Sequence, residues 1–294
     1  MCSPDTMTRY KNDLNWMLRS PELLALTRHM STDELMSRME ADDNFQFKDT
    51  HRLGVYFEQL WQHLTNRCES LDSVKHNYQV IINKHTYGEF DSILFDKVLS
   101  YTIHCELAVK FYLQIGSGRE LHHWVGPNLR DRFDHKHQRL FEHQLALSND
   151  ETIAPWLEQQ DITIDQVKVL TRGRLFYPLE DFMQEKFRFP NEVNPSHLKG
   201  FWTSWESFAH LQLSSGIDWY LLPKMYWLSP ISPMEVKELS LIDDKAFLIH
   251  GHNEQYEFQR IQQVVGVRDG EEMMRGFVVT EDWLKKAKAR VFEA

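Results

Sequence analysis

Residues 101–113, YTIHCELAVKFYL, decide how the first half of this chain is read. The run is rich in β-branched and aromatic side chains, and turn-forming residues 116–118 follow it, so it reads as a strand. The strand period of two turns Glu106, Ala108 and Lys110 to one face and Cys105, Leu107 and Val109 to the other. Upstream, Tyr78–Asn83 (YQVIIN) and Gly88–Phe95 (GEFDSILF) are two more strand-like runs. Before them, residues 53–66 (LGVYFEQLWQHLTN) place Leu53, Phe57, Leu60, Trp61 and Leu64 at the spacing of an amphipathic helix. Downstream, residues 127–145 again have helical spacing. Helix, three strands and helix within about 95 residues predict an α/β core.

Further out the pattern loosens. Residues 7–40 read as helices broken at Ser20-Pro21. Beyond the core, residues 165–172 are strand-like. Aromatic-rich segments follow at Gly173–Pro178, Gly200–Trp205, Lys224–Pro230 and Gly276–Trp283, each punctuated by Gly or Pro as in short strands and turns. The polar stretch 148–151 with Pro155 marks a boundary within 147–160. The expected organisation is therefore 1–150, a helical N-terminus plus core, and 151–294, an α+β extension packed on it.

The chain has 294 residues, with 43 acidic against 33 basic side chains and a net charge of -10. That balance excludes nonspecific coating of nucleic acid or anionic membrane, though not a local cationic groove. Cys2, Cys68 and Cys105 have no metal-site spacing, which points to a reducing compartment without a disulfide framework. The first 30 residues lack an uninterrupted apolar stretch, and no apolar run approaches the roughly 18 residues of a membrane span. A cytoplasmic, unprocessed protein without membrane contact is expected.

The chemistry-bearing residues lie on the core strands. In GEFD, Glu89 and Asp91 are two apart and share a face. Pairing that strand with 101–113 would gather Glu89, Asp91, Glu106 and Lys110. Such a group is costly to bury unless compensated, and a divalent cation with hard oxygen ligands, Mg²⁺ or Mn²⁺, compensates it directly. Lys110 would then orient an attacking water or stabilise phosphoryl charge. Glu58, on the 53–66 helix with Gly54 one turn earlier, is positioned to complete the shell. The competing reading is plain: solvated sheet-edge acids and a lysine whose stem lies on the sheet. In the 127–145 helix, Arg132, Lys136, Arg139 and His143 form one stripe, as expected of a phosphate grip, while Asp131, Asp134 and Glu142 lie toward the opposite flank. A solvated helix with local ion pairs is the alternative.

These residues sit within strings that resemble a known family. DLNWMLRSPELL, LGVYFEQL, GEFD, ELAVKFYL, WVGPNLRDRFDHK, HQLALS, GRLFYP, GFWTSW, WLSP and GFVVTEDW occur in the order seen in the bacterial family DUF1853. The resemblance implies membership of the PD-(D/E)XK nuclease superfamily, with a restriction-endonuclease-like α/β/α core. It also implies an Mg²⁺-dependent phosphodiesterase site acting on DNA or RNA, with Glu58 as the helix acid, Asp91 as the strand acid and Lys110 as the lysine. One departure stands out: Ala108 occupies the acid position of (D/E)-x-K. Glu106 starts roughly 13 Å from Lys110 along a strand. That departure favours the alternative, a nuclease-fold protein that binds or assembles without catalysis.

Other candidates have weaker support. His135 and His137 point to different helix faces, His122-His123 is a loop pair, and His250-Gly251-His252 reads as a turn. No P-loop, dinucleotide-binding or nucleophile-elbow string occurs. Trp202, Trp205, Trp219, Tyr226 and Trp227 are candidates for base stacking, with core packing the simpler assignment. The basic run 285–290 reads as a solvated helix face.

Overall fold

In the computed structural model, which describes residues 4–32, 48–242 and 260–293, helix α1 (Pro4–Arg19) ends at Ser20-Pro21. The segment after it is not helical, contrary to the expectation over 7–40. It runs extended, bridging Leu24 to Val193 and His29 to Val169. Pro21 disfavours helical backbone at the residue before it, and the freed backbone groups find sheet partners instead. Residues 33–47 lie outside the described residues.

Helix α2 (Leu53–Asn66) leads into an antiparallel meander of β1 (Leu71–Ile82), β2 (His85–Asp96) and β3 (Tyr101–Gln114). The short β4 (Trp124–Val125) pairs with the end of β3. After α3 (Phe133–Arg139) and α4 (Ala154–Glu158), β5 (Gln166–Pro178) returns parallel to β3. Helix α5 (Leu179–Met183) follows, and β6 (Leu198–Ser204) lies parallel to β5. Then come α6 (Trp205–Ser215), β7 (Asp218–Leu221), β8 (Ser240–Leu241), β9 (Gln262–Arg268), β10 (Glu271–Val279) and α7 (Glu281–Phe292). The ten described strands make one mixed sheet in the order β1-β2-β3-β5-β6-β10-β9-β7-β8, with β4 beside β3. GRLFYP is thus the second half of β5, and Lys224–Tyr226 is a 3₁₀ turn rather than a strand.

The odd-numbered residues of β3 (Ile103, Cys105, Leu107, Phe111 and Leu113) pack with Phe57, Leu60, Trp61 and Leu64 of α2 in the largest apolar cluster. Each of these α2 side chains is essentially inaccessible, a gain of roughly 1.5–3 kcal/mol apiece. Tyr112, on the even face, belongs to a second cluster and stacks on Phe133 of α3 with ring centroids 4.5 Å apart. Helices therefore cover both faces of β3. Gly173 is required where β5 passes Lys110: its φ is +149°, and an added Cβ would collide with the Lys110 carbonyl.

The expected helix over 127–145 is shorter than its spacing implies. Leu129 sits at φ 61° in a turn closed by its N–H onto the Gly126 carbonyl (2.9 Å), and α3 starts only at Phe133. From Leu140 to Gln144 the helix widens to a π turn. Among the described residues no helix is long and apolar enough to cross a membrane. Cys68 and Cys105 are buried free thiols.

Candidate functional site

The β2–β3 ladder stops at the Ser92–Cys105 pair. One residue further, side chains take over from the backbone. Leu107 N–H donates to Asp91 Oδ2 (2.8 Å), and Asp91 N–H makes a long contact of 3.5 Å to Glu106 Oε1. Asp91 and Glu106 thus stand where the two strands part, and their carboxylates satisfy backbone donors that the ladder leaves open.

Glu106 is fully buried and heavily engaged. His104 Nε2 lies 2.8 Å from its Oε1, and Gln144 Nε2 donates to its Oε2 at 2.6 Å. Lys136 Nζ in turn donates to Gln144 Oε1 (2.6 Å), so α3 and its π turn reach the carboxylate through one amide. With Nε2 serving Glu106, His104 turns Nδ1 toward Ser148 Oγ at 3.4 Å. Glu58, partly exposed on α2, accepts from Asn77 Nδ2 (2.8 Å), and Asn77 accepts from Gln62 Nε2 (2.6 Å). Asn77 is held at φ 47°, a conformation asparagine tolerates better than most residues.

The electrostatics tie these groups together. Burial first, then the neighbouring Glu106 and Glu58 charges, push the Asp91 carboxyl up to about 8, against the opposing pull of the Leu107 N–H and Lys136. Burial also raises Glu58, with Glu89 and Glu106 adding repulsion, while the Asn77 bond opposes the rise. Burial lowers the Lys136 ammonium, and Lys110 and Arg139 lower it further, while Asp91 and Glu106 pull it back up. Glu58, Glu89, Asp91, Glu106 and Lys136 therefore occupy one electrostatic neighbourhood. Cys105, on the opposite face, is a buried thiol raised well above its ordinary range, inert as a nucleophile.

Three residues proposed from the sequence face elsewhere. Lys110 Nζ pairs with Asp131 Oδ2 at 2.5 Å, so Asp131 is not on the far flank of a helix but directly against the lysine. Arg132 forks onto Asp134 (2.8 and 2.9 Å) and donates to the Arg290 carbonyl (2.7 Å), anchoring α7. Arg139 is exposed and reaches the cluster only through its charge. Of the residues sequence reasoning passed over, His104 was legible as the position two before Glu106. Gln144 was not. Eight residues from Lys136 in an unbroken α-helix, it would lie about 12 Å along the axis and about 80° around it. The π turn closes that gap.

Among the described residues, no three His, Cys, Asp or Glu side chains form a group able to hold a metal ion. The donor chemistry nevertheless suits a hard cation. Asp91 Oδ1 and Glu58 Oε1 take no part in the hydrogen bonds described above, whereas both oxygens of Glu106 are already engaged. A groove of about 910 Å³ between α2 and β1, lined by Glu58, Gln62, Arg67 and Asn77 among others, opens on the Glu58 side of the cluster. Neither a curated protein nor a solved structure matches the chain. A family model, described as a domain of unknown function, matches residues 12–279, nearly the whole chain, and the protein belongs to that family, DUF1853.

Proposed function

We propose that the chain is a metal-dependent nuclease, hydrolysing phosphodiester bonds of DNA or RNA in the cytoplasm. The carrying observation is the meeting of the half-buried Asp91 and the buried Glu106 where β2 and β3 part, with Leu107 N–H on Asp91 Oδ2 and Gln144 Nε2 on Glu106 Oε2, and the Asp91 carboxyl raised by burial and by Glu106 and Glu58. Carboxylates crowded in this way lose protons readily to a divalent cation. In this reading Glu58, Asp91 and Glu106 hold Mg²⁺ or Mn²⁺, with Glu89 as a further oxygen donor. The ion supplies charge stabilisation for the phosphodiester and makes a water more acidic. Gln144 holds Glu106 in place, Lys136 faces the substrate phosphate, and Lys110 orients the attacking water once Asp131 releases it. A restriction-endonuclease-like core, within the PD-(D/E)XK superfamily, belongs to the same reading. Its support is the order of α2, the β1–β3 meander, α3 and the parallel strand β5.

The test is Mg²⁺-dependent cleavage of single- and double-stranded DNA and RNA by the purified protein. Cleavage that is abolished in Asp91→Ala and Glu106→Gln supports the assignment. Cleavage unchanged in both refutes it. A second reading, a binding or assembly module without catalysis, is favoured by Ala108 and by the Lys110–Asp131 pair that occupies the lysine. Calorimetry separates the two readings: tight Mg²⁺ or Mn²⁺ binding that Asp91→Asn removes counts against the module.

A further inference from the structure

A second cleft, of about 610 Å³, opens beside Lys110 and differs in character from the carboxylate cluster. Its apolar wall includes Phe111, Trp227 and Trp283, with Phe111 and Trp227 edge to face at 5.5 Å. Both indole N–H groups are already spent, Trp283 on the Pro127 carbonyl (2.8 Å) and Trp227 on the Leu222 carbonyl (3.2 Å). The two indoles therefore bring no free donor to the cleft; Trp283 is buried, and the half-buried Trp227 supplies the accessible ring surface. The polar lining is cationic. Asp131 and Asp282 are neutralised by Lys110 (2.5 Å) and Lys286 (2.6 Å). Arg52, Lys224 and Arg260 remain, and none is ion-paired with a carboxylate among the described residues. In a chain of net charge -10, this concentration of unneutralised basic groups beside aromatic rings selects an anion with a flat apolar body. The volume falls within the roughly 300–1,000 Å³ of small-molecule sites.

We propose that this cleft binds a nucleoside monophosphate, free or as the phosphorylated end of a strand, with its base against the half-buried Trp227 and its phosphate among Arg52, Lys224 and Arg260. Only the strand-end form rests on the nuclease reading. The experiment is calorimetric titration of the full-length protein in EDTA with AMP, ribose 5-phosphate and inorganic phosphate, and with hexathymidylate carrying or lacking a 5′-phosphate. AMP is expected to saturate one site, with ribose 5-phosphate at least tenfold weaker because it lacks the ring. Lys224 and Arg52 are exposed, so Lys224→Ala and Arg52→Ala leave folding intact, and each should weaken AMP at least fivefold. Asp91→Ala should bind AMP like the native chain, which separates failure of the cleft from failure of the nuclease site. Displacement of AMP by the phosphorylated oligomer alone identifies a strand end, and displacement by neither oligomer identifies the free nucleotide. Absence of saturable AMP and phosphorylated-oligomer binding overturns the proposal. So does AMP affinity equal to that of ribose 5-phosphate, or affinity unmoved by both substitutions.

Discussion

Replacing Asp91 by Asn tests the strand junction through pH. The native carboxyl titrates near 8, whereas in the unfolded chain it returns to its ordinary value of 3.8. Between those values the folded state holds one more proton than the unfolded state, so stability falls as pH rises through the window, by about 1.4 kcal/mol per pH unit. The contribution is fully unfavourable only above pH 8, where its upper limit is about 6 kcal/mol. Asn keeps an oxygen that can accept from Leu107 N–H but cannot ionise. The stability of Asp91→Asn relative to the native chain should therefore increase by about 2–3 kcal/mol between pH 5 and pH 7. Urea denaturation in EDTA at pH 5, 6 and 7 reads this difference. Parallel pH dependences of the two proteins would refute the raised Asp91 carboxyl at the junction. A second arm adds Mg²⁺ at pH 7 in buffers of different ionisation enthalpy. Cation binding that ionises Asp91 releases close to one proton per ion from the native chain, and Asp91→Asn loses that release.

Three further substitutions probe the scaffold. Gln144→Leu leaves buried Glu106 Oε2 and half-buried Lys136 without their bridge, and should cost roughly 1–3 kcal/mol in chemical denaturation. Gly173→Ala forces a Cβ into the Lys110 carbonyl at a left-handed φ, and should cost on the order of 2–4 kcal/mol or prevent folded protein from accumulating. Thr280→Ala removes the side-chain acceptor of Trp283 N–H (3.1 Å) at the start of α7, for about 1 kcal/mol, and Thr280→Ser should restore it. An unchanged melting temperature for Thr280→Ala would mean that α7 is held by its packing and its bonds to Arg132 and Pro127, with no contribution from the cap.

The parts of the fold that could be read in advance are those governed by one period and one face. In β3 and α2, alternation and 3/4 spacing assign Cys105 to the core and Glu106 to the opposite face, as the packing has it. Reading failed where the chain changes period. The 127–145 pattern carries helical spacing throughout, yet Leu129 takes a left-handed turn and Leu140–Gln144 widens, so Asp131 and Gln144 arrive at places no single helix would give them. Residues 20–32 went astray for a related reason. Their apolar spacing fits a helix, but β5 offers Val169 as a backbone partner, and tertiary hydrogen bonding overrides local preference. The proximity of Glu58 to Glu106 was legible only as a possibility of placement, because it depends on where α2 lies across the sheet.

Lys110, which the sequence sets on the same strand face as Glu106, is committed to Asp131, so that pair is neutral as a unit. Arg132 is committed to Asp134. Lys136 then remains as the amine that acts directly on both Asp91 and Glu106, and burial weakens its own hold on a proton. Asp91 and Glu106 facing this destabilised ammonium, with Glu58 and Glu89 nearby, leave an excess of negative charge that a partly buried site compensates at a cost. The molecule has two ways out: it can take up protons, as Asp91 does at neutral pH, or it can take up a cation. Proton uptake satisfies the folded state at rest. Exchange of that proton for a divalent ion would turn the same strain into binding energy, which is why proton release on Mg²⁺ addition is the measurement that separates a functional site from a tolerated one.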